Sequence, residues 1–112
     1  MAFVCIDAPK MGSHESHGFP ITLLGYAGGS FESNVIVEAR ALSASGQPGS
    51  TVLAKQALSY AAPDVGMPGA WRLALDLPAS VQPGSNVRVI AYFESPRDGS
   101  RVAQTSVDIF LH

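Results

Sequence analysis

The sequence predicts an all-β fold, about seven short antiparallel strands packed as a two-layer sandwich. Three observations lead there. Apolar residues recur at every second position in several separate stretches. Gly and Pro, 11 and 8 of 112 residues, fall between those stretches as turn punctuation. No stretch holds a helical apolar period long enough to build a helix.

Phe3–Asp7 is the first expected strand, ended by Ala8-Pro9 because proline cannot donate to a ladder. Its Phe3-Val4-Cys5-Ile6 run is apolar throughout. Cys5, the lone cysteine, is therefore expected to be buried as a small hydrophobe, and it forms no internal disulfide. Lys10–Gly18 is polar and reads as a loop. Pro20–Tyr26 is the second strand, broken by Ala27-Gly28-Gly29-Ser30. In the third, Asn34–Leu42, Val35, Val37, Ala39 and Ala41 alternate with Ile36, Glu38 and Arg40. Ser43–Ser50 is a polar connection to a returning strand, Thr51–Leu58. Ser59–Gly69 is a long loop whose Tyr60, Val65 and Met67 are expected to fold back over the sheet. Trp71, Leu73, Leu75 and Leu77 face inward from the next strand, with Trp71 as a core anchor. Val81–Ser85 turns the chain into the sixth strand. There Val87, Val89, Ala91 and Phe93 share one face and Arg88, Ile90, Tyr92 and Glu94 the other.

The strongest local signal is the hairpin that follows, Ser95-Pro96-Arg97-Asp98-Gly99-Ser100. Pro96 presets φ for a turn, Asp98-Gly99 tolerates φ > 0, and the Ser95 and Asp98 side chains can accept from turn N–H groups. The chain returns through Val102–Leu111, where Val107, Ile109 and Leu111 alternate with Ser106, Asp108 and Phe110. The fold class is an immunoglobulin-like antiparallel β-sandwich of about seven strands, one domain spanning residues 1–112, with a small barrel as the alternative.

Composition narrows the function classes. Hydrophobic residues make up 46% of the chain and charged ones 14%, which is a globular rather than a disordered composition. A net charge of −2 and the lack of a basic run argue against nucleic-acid binding. No apolar stretch approaches the roughly 18 residues of a membrane span. No signal sequence opens the chain, so an exported protein would carry one outside this segment of a larger chain.

Candidate site residues are few. His14-Glu15-Ser16-His17 places two imidazoles in one loop, where His14 and His17 could hold Zn or Cu, although solvated polar loop is the bland reading. Phe31 could plug one end of the sandwich. Glu32 could cap a turn, or join Glu94 or Asp98 in binding Ca²⁺ or a partner. Arg97 and Arg101 flank Asp98 on the hairpin and can pair with acidic partners. No Gly-x-Ser-x-Gly elbow occurs, and His14, His17 and His112 are the only histidines, so no enzymatic role is expected.

From about Ile21 to Leu111 the chain resembles the immunoglobulin-like domain of bacterial spore germination proteins, the module found beside the GerMN domain. The residues that carry the likeness are Gly25-Tyr26-Ala27-Gly28-Gly29-Ser30-Phe31-Glu32-Ser33-Asn34-Val35, the Ser45-Gly46 turn, Gly69-Ala70-Trp71 and Glu94-Ser95-Pro96-Arg97-Asp98-Gly99-Ser100. The chain departs from that pattern at Lys10–Gly18. The resemblance implies a seven-stranded sandwich, an extracytoplasmic location in a secreted or cell-envelope protein, and no catalysis. The expected function is thus a binding or spacer module without a cofactor. It would recognise a protein or cell-envelope polymer through loops or an edge strand. The alternative is a small metal-binding protein built on His14 and His17.

Overall fold

A computed structural model of the chain describes residues 2–16, 18–29, 34–43, 45–64, 67–95 and 97–112. Its strands are β1 (Phe3–Ala8), β2 (His14–Glu15), β3 (Ile21–Gly28), β4 (Asn34–Leu42), β5 (Pro48–Ser59), β6 (Gly69–Leu75), β7 (Asn86–Glu94) and β8 (Arg101–Leu111). They form a three-stranded sheet in the order β1-β3-β6 and a five-stranded sheet in the order β2-β8-β7-β4-β5. This is an all-β sandwich in which β7 and β8 form a hairpin and most other neighbours are distant in sequence. No helix among the described residues is long and apolar enough to cross a membrane.

The period of two explains the core. Val35, Val37 and Ala39 of β4, and Val87, Val89, Ala91 and Phe93 of β7, are buried on the inner face of the larger sheet. Val107, Ile109 and Leu111 of β8 extend that layer. Opposite them lie Ile21 and Leu23 of β3 with Trp71, Leu73 and Leu75 of β6. Each such buried aliphatic or aromatic side chain contributes roughly 1.5–3 kcal/mol relative to exposure, which makes this layer the main source of stability. Tyr60 folds back as expected and stacks on Phe93 at a centroid distance of 6.1 Å. Met67 in the same loop is exposed, and Val65 lies outside the described residues.

Gly25 shows why one strand position needs glycine. It pairs with Trp71 across β3 and β6. A Cβ there would overlap the indole ring and the carbonyl oxygen of Cys5. The indole covers a gap that only glycine leaves. Gly28 likewise packs under Phe3 and Pro68, so β3 runs on through residues whose sequence suggested a break.

The hairpin turn forms as its residues dictate. Ser95 N–H donates to Ser100 C=O at 2.7 Å and Gly99 N–H to Ser95 C=O at 2.9 Å. The Ser95 hydroxyl accepts from Arg97 N–H, and Asp98 Oδ1 accepts from Ser100 N–H at 3.0 Å. Gly99 takes φ 73°. Pro96 lies outside the described residues. The hydrogen bonds from Ser100 favour the charged carboxylate and hold the Asp98 pKa below its ordinary value.

Several expectations require correction. Cys5 is exposed: the even positions of β1 face the core, with Val4 buried, and the odd ones face outward. Ala41 keeps its place opposite Val87 but is exposed near the end of β4. β5 starts earlier than Thr51, at Pro48. The Lys10–Gly18 stretch is not all loop. His14 and Glu15 form β2, which pairs in parallel with Phe110 and Leu111, so the larger sheet is mixed rather than purely antiparallel.

Candidate functional site

The outward face of the larger sheet carries an unusual arrangement of charge. The register stacks three rows across β4, β7 and β8. Ile36, Tyr92 and Gln104 form one row, Glu38, Ile90 and Ser106 the next, and Arg40, Arg88 and Asp108 the third. Residues directly opposite each other in a ladder share a face, so all nine side chains project to the same side.

Glu38 stands at the centre with only 1% of its surface exposed. A buried carboxylate is costly unless paired. Arg40 Nε donates to Glu38 Oε2 at 2.8 Å, and Arg101 Nη2 donates to Glu38 Oε1. Arg40 is anchored further by Nη1 donating to Gly49 C=O at 2.9 Å. Arg101 reaches this position because the ladder register shifts between Phe93 and Glu94, which sets Arg101 opposite Glu94. Its guanidinium lies 4.0 Å from the centroid of the Tyr92 ring, and Nη1 donates to Gln104 Oε1. This cation–π contact and the two flanking arginines bury Tyr92 and Ile90 on a face that would otherwise be wet.

Arg88 and Asp108 complete the patch. Arg88 Nε and Nη2 donate to the two oxygens of Asp108 at 2.7 and 3.1 Å, a bidentate fork. That hydrogen-bonded carboxylate raises the Arg88 pKa above its ordinary value. No described group accepts from Arg88 Nη1 or Arg101 Nε.

Between these groups lies an open depression of ≈ 470 Å³, lined by Arg40, Arg88, Arg101, Gln104 and Ser106 and rimmed by Pro48-Gly49 of β5. Three guanidiniums face it against two carboxylates, Glu38 and Asp108, which leaves one formal positive charge in excess. On a protein of net charge −2 this is a local inversion of sign. Chemically, the site offers forked N–H donors for carboxylate or phosphate and a hydroxyl and an amide at its side.

The residues singled out from sequence are spread elsewhere. Glu94, Arg97 and Asp98 are exposed at the β7–β8 hairpin, with Asp98 engaged in its own turn. Phe31, Glu32 and His17 lie outside the described residues. Among the described residues no group of three or more His, Cys, Asp or Glu is placed to hold a metal ion. His14 sits on β2 against Phe110, and its described imidazole neighbour is His112.

Sequence reasoning marked Arg101 as able to pair with acid but missed its partners. Arg40 and Arg88 were visible only as outward positions of predicted strands. Register joins them, and spacing does not reveal register.

No family model matches the chain, and no curated protein shows significant similarity to it.

Proposed function

We propose that this protein is a non-catalytic binding module that recognises a carboxylate-rich partner through the outward face of its five-stranded sheet. The observation that carries this reading is the depression lined by Arg40, Arg88 and Arg101 with an excess of positive charge. The site is formed by side chains already held by Glu38, Asp108, Tyr92 and the Gly49 carbonyl. A ligand therefore meets donors that have little rotamer freedom left to lose. β5 lies at the end of its sheet order, so a partner strand could lie along that edge with its acidic side chains directed over the depression.

The placement outside the cytoplasm, in a secreted or cell-envelope protein, rests on the likeness of residues 25–35 and 94–100 to the spore germination immunoglobulin-like domain.

Poly-L-glutamate on a sensor surface is a suitable probe. Binding is expected to weaken as salt rises from about 50 to about 200 mM, because partly exposed charges are screened over that range. Arg88→Gln is expected to weaken it at least about fivefold without unfolding the protein, since a partly exposed pair such as Arg88–Asp108 is worth only ~0–1 kcal/mol. Binding that is insensitive both to salt and to Arg88→Gln would refute the reading.

A further inference from the structure

We infer that His14 and His112 form a two-imidazole site for a transition-metal cation, Cu(II) in first place. The short parallel strand β2 creates the juxtaposition. His14 is in register with Phe110, and Glu15 C=O accepts from His112 N–H at 3.0 Å, which fixes the end of the chain beside β2. Phe110 and His112 are two positions apart, so their side chains fall on the same side. The His14 ring lies 5.1 Å from Phe110 and 6.1 Å from His112, centroid to centroid.

That spacing fits a shared ion. An imidazole nitrogen binds a metal at about 2.0–2.1 Å and lies about 1.1 Å from its ring centre, so each centroid sits about 3.2 Å from the ion. Two rings on one tetragonal Cu(II) ion then have centroids about 4.5 Å apart when cis and about 6.4 Å apart when trans. The observed 6.1 Å falls inside that span. Both imidazoles are exposed, so water can complete the coordination. With two imidazoles as the protein ligands, the ion at the top of the divalent affinity order is favoured, and that is Cu(II) ahead of Zn(II). The site is separate from the arginine-lined depression and needs none of its residues.

The sequence motif sets His14 and His17 three positions apart. The fold brings His14 beside His112, and His17 lies outside the described residues. The ring of Phe110 packs against His14 and limits its orientation, which reduces the ordering needed on binding.

Cu(II) titration of the intact protein by calorimetry, with electron paramagnetic resonance on the one-to-one complex, tests this. The expected results are a single site with two imidazole nitrogens in the spectrum and at least about tenfold weaker binding in each of His14→Ala and His112→Ala. His17→Ala should bind as the wild type does. His14 and His112 are exposed, and metal-free melts verify that all three variants fold. Wild-type binding no tighter than that of the His14→Ala/His112→Ala double variant would overturn the assignment. So would loss of binding in His17→Ala with His112→Ala unaffected.

Discussion

Trp71→Ala is expected to destabilise the protein by about 3–5 kcal/mol, the range for truncating a large buried aromatic side chain. Trp71 is 3% exposed and lies in the core between the two sheets. Its loss removes contacts to Leu-rich β3 and β6 neighbours and uncovers Gly25, which has no side chain to fill the space. Trp71→Phe separates shape from polarity. The indole Nε1–H is buried without a hydrogen-bond partner among the described residues, and an orphan donor of that kind costs about 1–3 kcal/mol. Phenylalanine removes the donor while keeping a ring, so its net cost should be roughly 1–2 kcal/mol, well below that of alanine. Chemical denaturation followed by far-UV circular dichroism measures both. An alanine variant within about 1 kcal/mol of wild type would mean that the indole is not the anchor.

The second large effect concerns Glu38. Removing both of its arginines, Arg40→Ala with Arg101→Ala, strips a carboxylate that is 1% exposed of its two paired cations, and the shortened side chains let some water reach it. Stripping a fully buried charge of its partner costs about 3–5 kcal/mol, so the loss here is expected at roughly 2–4 kcal/mol. The reverse substitution should be mild. Glu38→Leu removes the buried charge and leaves two arginines that are 22% and 37% exposed and can turn to water, so the cost should stay below about 2 kcal/mol. The asymmetry is the test: equal effects from the two sides would mean that Glu38 is hydrated and the network is an ordinary surface one. Either outcome is read from urea midpoints at constant m.

Much of this fold is legible in the sequence because its strands are half-buried and read with a period of two. Asn34–Leu42 emerges as β4 with the bounds read from its alternation. Trp71, Leu73 and Leu75 face inward from β6, and the turn at Ser95–Ser100 forms through the side chains that signal it. What escapes is whatever depends on pairing between distant segments. β2 is two residues long and exists only because the end of β8 lies beside it. Cys5 sits in an apolar run that hides its outward parity. Gly28 looks like a strand breaker, yet close approach of Phe3 and Pro68 is what requires it.

The candidate site follows the same rule. Glu38 occupies an outward position and so reads as a solvated charge. It is buried by Arg101, 63 positions further on, after a register shift that nothing local announces. Arg40 and Arg88 stand side by side only once β4 and β7 are aligned. His14 and His112 meet only through the parallel strand. Hydrophobic alternation reports which face a residue takes, and it carries no information on which neighbour it will find there.

Anion recognition on this face is tested most directly by following the arginine Nε–H resonances during titration with poly-L-glutamate. The shifts should concentrate at Arg40, Arg88 and Arg101, with Arg72 and Arg97, which lie away from the depression, little changed. Shifts confined to Arg97 and the hairpin, or none at any arginine, would contradict a binding site on the outward face of the five-stranded sheet.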